Sequence, residues 1–495
     1  MNKKVKATAA LLLLSLMLLS LFLLTRYEKQ KYPVLGTNMI EHVGVFEDHR
    51  DALAHWIKIG IRNAVLVNID AHDDLKRVPP EQMEMVKAAY QQREGDYRDA
   101  EVALGGYAAV SNSNFIHAAA KLGIIKKVLW VVPATYDLFS DSGNRLAALL
   151  KMYGFRDEDI KTFRIKNGCF IGATDGIPLT ICDIRSLPDV SEPVLLSVDV
   201  DYFPAMVNDN DSRITDSVKQ TFNALFNKGY AIRDAIVAYS VNGGFMDPCY
   251  RWVGDLVIDN LRIPGLVSQA GLPDRYFLLQ RADLLLLLKR YGELLDDLSP
   301  FLHDAVAEPA ILSYAAKACQ GLGETEKSFH YAEKACLSDN RYCYCLPELG
   351  TIVLDEKGVD AAERFFVRGY DLCPDMDYGQ FRFAMALKEF GRHDDAIKYF
   401  KDFRNCYGSF PVDLYIAETF LRKGDERSAM RYYDSCRTEL AKNPAVLAGF
   451  GDFNKIENAA VFYDRRGYAR YASLLRDSIK FKDNEASYCM DPPTR

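Results

Sequence analysis

The sequence predicts an α/β domain with a mostly parallel sheet in a three-layer αβα arrangement, followed by an all-α solenoid of helical repeats. Two observations support this prediction. Short apolar runs that end in polar residues alternate with helical stretches as far as Ser240, which is typical of βαβ units and a parallel sheet. Beyond Pro273 such runs stop, and glycines recur about every 34 residues, which is a period of helix-turn-helix repeats.

The length and composition indicate a folded protein of several domains. A chain of 495 residues has room for two or three domains, and 49% hydrophobic and 26% charged residues are ordinary for globular proteins. The net charge of −7 and the lack of a Lys/Arg-rich block argue against a nucleic-acid partner. We predict these segments: a membrane anchor or signal segment (1–26), a linker (27–37), a metal-binding α/β domain (38–272), helical repeats (273–482) and a disordered tail (483–495).

The N-terminal segment predicts a single-pass membrane anchor. Lys3, Lys4 and Lys6 precede an uncharged stretch at residues 7–24, which reaches the lower length limit of a bilayer-spanning helix. A cleaved secretory signal is the alternative, but no small-residue cleavage site follows the stretch. The lysines ahead of it favour a cytoplasmic N-terminus, with the main body of the protein on the non-cytoplasmic side. The 11 cysteines include no CxxC pair, and we expect most of them to be buried apolar side chains.

The α/β elements follow in order from the apolar patterns. We expect helices at residues 51–60 and 114–122. We expect strands at residues 43–46, 64–70, 128–133, 161–165, 194–199 and 235–240. The long charged connection at residues 76–106 is an insertion, and it is either a lid over the site or a surface decoration.

Acidic residues and histidines follow two of these strands. Asp70, His72 and Asp74 follow one buried apolar run, and Asp199 and Asp201 follow another. Ligands bind at the carboxyl ends of strands in open α/β sheets, and residues two apart in a strand share a face. Carboxylates brought this close repel one another unless protons or a cation neutralise them. The pattern therefore predicts a metal site.

One further histidine completes this predicted site. His49 follows the preceding strand and supplies a second imidazole. Carboxylates with one or two imidazoles suit Mn²⁺ best, with Fe²⁺ or Zn²⁺ as alternatives. Six ligands exceed what one tetrahedral Zn²⁺ needs, and they suffice for two ions that share carboxylates.

The ligand motifs resemble those of a known family. His49, the Asp70-Ala-His72-x-Asp74 element and Ser197-x-Asp199-x-Asp201 are similar to the metal motifs of the arginase/deacetylase (ureohydrolase-like) superfamily. They look closest to a branch associated with peptide arginases, which convert arginine side chains in peptides to ornithine. The resemblance implies one ion held by His49, Asp70, Asp74 and Asp199. It implies a second ion held by Asp70, His72, Asp199 and Asp201, with Asp70 and Asp199 bridging.

The same resemblance implies roles for residues outside the ligand set. His117, in a Ser-Asn-x-x-His stretch, is the expected proton shuttle, and we assign Asp74 a catalytic role beside its metal role. Asn114, Ser240 and Asn242 are the expected substrate-binding residues. Arginases have a carboxylate near the last strand that pairs with the guanidinium, and here Ser240 lies nearest to that place. Deacetylases have a Gly-Gly-Tyr sequence where this chain has Gly-Gly-Phe at residues 243–245.

The C-terminal half resembles tetratricopeptide repeats. The match lies in the period and in small and aromatic residues on the helices, since the consensus Trp and Pro are mostly absent. A generic helical bundle is the alternative. We expect a membrane-anchored, metal-dependent hydrolase of a C–N bond, acting on guanidino or amide groups of a peptide or protein substrate, with repeats that bind a protein partner. The alternatives are a type II membrane glycosyltransferase that uses the Asp-Val-Asp motif, and a catalytically inactive scaffold.

Overall fold

The computed structural model describes residues 40, 43–78, 80–91, 110–139, 143–207, 213–241, 246–263, 266, 272–302, 308–374, 377–407, 411–442 and 453–483. The predicted anchor, the linker and the tail from residue 484 lie outside these residues, as does the part of the predicted insertion at residues 92–106. Within the described residues, no helix combines the length and the apolar character that crossing a bilayer requires.

The first half of the chain forms one eight-stranded, mostly parallel sheet with the order β1-β8-β7-β2-β3-β6-β5-β4. The strands are β1 Val43–Phe46, β2 Ala64–Ile69, β3 Ile125–Val131, β4 Arg164–Lys166, β5 Cys169–Thr174, β6 Ile177–Cys182, β7 Val194–Asp199 and β8 Ile232–Ala238. The hairpin of β5 and β6 was not predicted, and its antiparallel pairing continues to β4. The other strand pairs are parallel, as the apolar runs predict.

Helices cover both faces of this sheet. They are α1 Asp51–Lys58, α2 Pro80–Gln91, α3 Phe115–Lys121, α4 Asn144–Tyr153, α5 Asp157–Ile160, α6 Tyr202–Ala205, α7 Ile214–Asn227 and α8 Arg251–Arg262. The two faces bury separate hydrophobic cores, because alternate side chains of a strand point to opposite sides. In β2, Val65 and Val67 belong to one core, whereas Leu66 belongs to the other. The α/β sheet with helices on both sides is therefore as predicted.

The second half of the described chain consists of consecutive helices that pair into six hairpins. The helices are α9 Asp274–Leu287, α10 Tyr291–Leu302, α11 Pro309–Gly321, α12 Thr325–Ser338, α13 Cys345–Lys357, α14 Val359–Leu372, α15 Asp377–Glu389, α16 His393–Tyr407, α17 Val412–Lys423, α18 Glu426–Lys442, α19 Phe453–Asp464 and α20 Ala469–Asp483. Their arrangement is that of tetratricopeptide-like repeats.

Glycines make the tight turns inside most of these hairpins. Positive φ angles occur at Gly323, Gly358, Gly391 and Gly424, between the two helices of successive hairpins. Glycine suits these turns because it has no Cβ that would oppose a positive φ. Gly292, which also belongs to the sequence pattern, lies inside α10 instead, and Lys289 makes the preceding turn with φ +56°.

Two disulfides correct the expectation for the cysteines. Cys169 pairs with Cys182 across β5 and β6, and Cys336 pairs with Cys343 at the end of α12. Four further cysteines, namely Cys249, Cys319, Cys345 and Cys436, are outside these disulfides and are buried as expected.

The helical hairpins pack directly against the α/β domain. One hydrophobic core runs from the face of the sheet that carries Val65 into the repeats as far as Leu475. At the junction, the Trp252 indole of α8 donates a hydrogen bond to the Tyr314 hydroxyl of α11 over 3.0 Å. The repeats and the sheet therefore share one buried interior.

Candidate metal centre

Strand pairing brings the predicted ligands to one edge of the sheet. Strands β2 and β7 are parallel neighbours, and Ile69 lies opposite Val198. Asp70 and Asp199 are the next residues on each strand, so their side chains leave the sheet side by side. His49 lies three residues beyond the end of β1, which pairs with β8 on the other side of β7.

A local turn places the second carboxylate or imidazole of each motif. The Asp70 carboxylate accepts a hydrogen bond from the backbone N–H of His72 over 2.7 Å, and Asp199 accepts one from the N–H of Asp201 over 3.2 Å. An aspartate that binds the amide two residues later curls the chain back on itself. This turn explains the two-residue spacing in both motifs. It directs Asp70 and His72, and likewise Asp199 and Asp201, towards the same cluster.

The first group of candidate ligands surrounds the His49 imidazole. Its Nδ1 atom lies 3.2 Å from Asp70 Oδ2, 3.0 Å from Asp74 Oδ2 and 3.3 Å from Asp199 Oδ2. The His49 side chain is 1% exposed, and Asp74 has a φ of +50°. Backbone strain in a non-glycine residue often marks a functional site.

The second group lies beside the first and shares Asp70 with it. The His72 Nδ1 atom is 2.9 Å from Asp201 Oδ2 and 3.8 Å from Asp70 Oδ1. One Asp70 oxygen thus faces each imidazole. The His72 side chain is 45% exposed while Asp201 is 7% exposed, so solvent reaches the cluster from the His72 side.

Three buried polar atoms of the cluster favour a cation. Among the described residues, His49 Nδ1 and both carboxylate oxygens of Asp201 have no hydrogen-bond partner of acceptable geometry. Buried polar atoms normally have such partners, and buried carboxylates are normally paired or bound to metal. Each group also offers three ligand atoms that lie within 4.8 Å of one another. These residues fit one or two divalent cations, and the mixture of oxygen and imidazole ligands suits Mn²⁺, Fe²⁺ or Zn²⁺.

The pKa values report the same crowding of charge. Burial, together with the charges of neighbouring carboxylates, raises the pKa of Asp70 and of Asp201 to about 7. Burial opposes protonation of His49, but the close approach of the Asp199, Asp70 and Asp74 carboxylates outweighs it and raises the pKa of His49 well above the ordinary value. Without a cation, the cluster therefore binds protons near neutral pH.

Polar side chains hold the candidate ligands in place. The Ser197 hydroxyl lies 2.6 Å from His49 Nε2, and the Asn68 amide donates to Asp70 Oδ2 over 3.2 Å. The Ser240 hydroxyl donates to Asp199 Oδ2 over 2.7 Å. Such partners orient metal ligands and tune their basicity.

Three aromatic residues that the sequence did not single out fix the backbone of the Asp70 turn. The Trp130 indole donates to the Asp70 carbonyl over 3.0 Å. The hydroxyls of Tyr136 and Tyr153 donate to the Ala71 carbonyl over 2.9 and 3.1 Å. Trp130 belongs to β3, the strand beside β2, and the two tyrosines follow that strand. The sequence could have indicated these residues, because aromatic side chains that carry a hydrogen-bond donor lie in or after the predicted strand at residues 128–133, at the same edge of the sheet.

The predicted catalytic and substrate-binding residues lie in different environments. Both His117 ring nitrogens are occupied: Nδ1 accepts from the Val78 N–H over 3.3 Å, and Nε2 lies 3.0 Å from Asp175 Oδ2. The Asn114 side chain accepts from the Ser111 N–H at the start of α3, over 2.7 Å. The proton-shuttle role of His117 and the substrate role of Asn114 remain predictions, and Asn242 lies outside the described residues.

Ser240 contacts the cluster directly. Its hydroxyl donates to Asp199, and its φ is +54°, while its role in binding substrate remains a prediction. Its backbone N–H donates to the Glu47 carbonyl over 2.9 Å. In this conformation Ser240 orients a candidate ligand.

Comparisons with known proteins add little to this picture. No family model matches the chain, and the search of curated proteins gives no match. Among solved structures, MamA AMB-1 is 18% identical over 32% of this chain and 88% of its own, with a TM-score of 0.25. The C-terminal part of a TPR repeat-containing protein from Cytophaga hutchinsonii is 15% identical over 43% of this chain and 84% of its own, with a TM-score of 0.33. Scores this low carry no argument about what this chain does, and these matches do not test the resemblance to the arginase/deacetylase superfamily.

Proposed function

We propose that this protein is a metal-dependent hydrolase that cleaves a C–N bond other than an ordinary peptide bond. The observation that carries the proposal is the pair of ligand groups, His49–Asp70–Asp74 and Asp70–His72–Asp201, which share one buried carboxylate. Adjacent sites with a shared carboxylate are the arrangement of two-metal hydrolases. Mn²⁺ is the cation that we expect, two ions per chain, with Asp199 as the second shared ligand.

The candidate ligands and the serines that hold them would have different roles in the proposed reaction. Divalent cations bound here would supply a hydroxide nucleophile near neutral pH and would polarise the group under attack. His72 borders the side of the cluster that solvent reaches, so the substrate would enter beside it. The buried His49 and Asp74 would hold the inner position, and the hydroxyls of Ser197 and Ser240 would keep His49 and Asp199 in place.

The substrate class follows from the motifs and from the helical repeats. The resemblance of the ligand motifs to the arginase/deacetylase superfamily favours a guanidino or amide group. The repeats favour a peptide or protein that carries this group, because stacked helical hairpins offer extended surfaces for peptides and proteins. His117 would protonate the leaving amine only if its contact with Asp175 opened.

The two alternative functions explain less. A glycosyltransferase would use Asp199 and Asp201 and would leave His49, Asp70 and Asp74 without a role, although all three lie in the same cluster. An inactive scaffold acting through the repeats would have no use for buried carboxylates with raised pKa values, whose crowding opposes folding.

Metal analysis tests the proposal directly. The full-length protein is purified in detergent, and bound Mn, Fe and Zn are measured for the wild type and for Asp199→Ala. We expect about two ions per wild-type chain and fewer than one per variant chain. Asp216→Ala changes an exposed aspartate on α7 and serves as the matched control. A wild type with no more metal than Asp199→Ala would refute the proposal.

Substrate analysis tests the reaction class. The Mn-loaded protein is incubated with a library of arginine-containing and acylated peptides, and the products are identified by mass spectrometry. Ornithine and urea would indicate attack on guanidinium, whereas a free amine and an acid would indicate attack on an amide. Metal binding without turnover of either class would favour the scaffold instead.

A further inference from the structure

Contacts made by residues 240–241 and 246–250 connect the candidate metal centre to the helical repeats. These residues begin at Ser240, whose hydroxyl donates to Asp199, and whose carbonyl accepts a hydrogen bond from the Met246 N–H over 3.0 Å. Asp247 follows directly, and its carboxylate accepts from the Cys249 N–H over 2.8 Å at the start of the short 3-10 turn Pro248–Tyr250. The position of Asp247 is therefore tied to that of Ser240.

The repeats hold these residues through one lysine. Lys317, in α11, is only 11% exposed, and its ammonium group contacts the Asp247 carboxylate. The same ammonium lies 2.6 Å from Glu348 Oε1 in α13, the first helix of the next hairpin. Lys317 thus joins two helical hairpins to the residues that follow β8.

This contact differs from a loose surface pair, because the Lys317, Asp247 and Glu348 side chains are only 11%, 30% and 25% exposed. Burial and the nearby charge of Asp247 raise the pKa of Glu348 to about 8, while Lys317 opposes that rise. Lys317 is the cation that pairs with the Asp247 carboxylate in this space. If it is removed, Asp247 is left without a counter-ion, and the chain that carries Ser240 loses its anchor.

A second buried cation supports the same connection. The Arg251 guanidinium, 2% exposed, donates to Glu47 over 2.7 Å, two residues before His49. Its Cζ atom lies 6.0 Å from the centre of the Tyr342 ring, which belongs to the repeats. Glu47 also accepts from the Val241 N–H over 3.0 Å. Both chain segments beside the metal cluster therefore contact a cation that reaches the repeats.

We propose that Lys317 is a positioning residue for the metal centre, acting through Asp247 and Ser240 on the Asp199 carboxylate. The helical repeats then help to position a ligand of the metal centre. This inference rests on the proposed function, since it requires that the cluster binds metal.

The test compares two buried lysines in the full-length protein. Lys317→Met removes the proposed anchor. Lys388→Met is the matched control, because Lys388 is 1% exposed and lies 3.0 Å from Glu418 in a later pair of repeats. Mn²⁺ affinity is measured by calorimetry, and the ligand geometry is read from the absorption spectrum of the Co²⁺-loaded protein.

We expect Lys317→Met to bind Mn²⁺ up to about tenfold more weakly, at the lower end of what changes to direct partners of metal ligands cause, and to alter the Co²⁺ spectrum. Lys317→Arg should restore much of the affinity. Lys388→Met should unfold more easily but keep the affinity and spectrum of the wild type. Asp247→Asn, which keeps the shape of the side chain, should weaken binding in the same direction even if Lys317→Met does not fold.

The outcomes separate the two proposals. A wild type that binds no metal would refute the proposed function and remove the basis of this inference. A wild type that binds metal, with unchanged affinity and spectrum in Lys317→Met and Asp247→Asn, would overturn the inference alone. An equal loss of affinity in Lys388→Met would also overturn it, because the effect would then reflect general stability.

Discussion

Replacing Asp70 by asparagine should have opposite effects on the metal-free and the metal-bound protein. In the metal-free protein, burial and the charge of Asp74 raise the pKa of Asp70 from 3.8 to about 7. A carboxyl group whose pKa is raised on folding destabilises the fold at any pH above its unfolded value, and fully so above its folded value. At pH 8 Asp70→Asn removes this cost, whereas near pH 4 it removes almost none.

The size of the effect follows from that pKa. One pKa unit corresponds to about 1.4 kcal/mol, so ionised Asp70 costs the metal-free fold roughly 4 kcal/mol at pH 8. The asparagine amide would face the Asn68 amide, which donates to Asp70 Oδ2, and losing this hydrogen bond costs about 1–2 kcal/mol. We therefore expect Asp70→Asn to stabilise the metal-free protein by about 2 kcal/mol. Mn²⁺ at a hundred times its Kd stabilises the wild type by about 2.7 kcal/mol per site, and the variant should lose most of this.

Urea unfolding at pH 8, with EDTA and with excess Mn²⁺, measures both effects. Asp73→Asn is the control: Asp73 is 2% exposed, its pKa is also raised to about 7 by burial, and it belongs to neither ligand group. Mn²⁺ should stabilise Asp73→Asn as much as it stabilises the wild type. An Asp70→Asn variant that is less stable than the wild type in EDTA, or that Mn²⁺ stabilises as much as the wild type, would contradict these expectations.

Three further predictions follow from the same region and from the sheet. The double change Tyr136→Phe and Tyr153→Phe should weaken Mn²⁺ binding about tenfold, measured by calorimetry, because both hydroxyls hold the Ala71 carbonyl. Mn²⁺ affinity should fall as the pH drops from about 8 to about 6, because protons then compete for carboxylates such as Asp201, whose pKa is about 7. Peptide mapping without reductant should recover Cys169 joined to Cys182, and removal of this 13-residue link should cost about 3 kcal/mol in urea unfolding, whereas no loss would contradict a structural role.

The convergence of the ligand groups could be predicted from the sequence because it depends on strand ends. An apolar run that stops at a carboxylate locates the end of a buried strand, and parallel strands present their carboxyl ends at one edge. The ends of the two apolar runs are therefore enough to predict that Asp70 and Asp199 lie at the same edge of the sheet. That β2 and β7 are direct neighbours is tertiary information, and it brings the two carboxylates within reach of one imidazole.

Contacts between residues that lie far apart in the sequence and share no motif could not be predicted. The β5–β6 hairpin joins the sheet through β3. Its strands are as long as β2 and β7, but Gly172 in β5 and Pro178 in β6 interrupt the apolar pattern that marks a strand. His117 is bound by Asp175 at the turn of that hairpin, 58 residues away. The Ser-Asn-x-x-His motif predicts a proton-shuttle role for His117 whether or not the fold supplies such a partner. The hydrogen bonds that decide its chemistry come from the fold.

The environment of Ser240 bears on where substrate selectivity resides. Arginases place a guanidinium-binding carboxylate near the last strand. Here the nearest residue is Ser240, whose hydroxyl donates to Asp199 and whose backbone N–H and carbonyl both make hydrogen bonds. Ser240 is only 3% exposed and its hydroxyl hydrogen is directed at Asp199, so we expect it to orient this carboxylate and not to select a substrate. The exposed side of the cluster lies at His72, where the Tyr153 ring approaches edge-on with 6.3 Å between ring centres. Selectivity should therefore depend on the residues around His72 and α4, and changes there should alter the preferred substrate more than the affinity for metal.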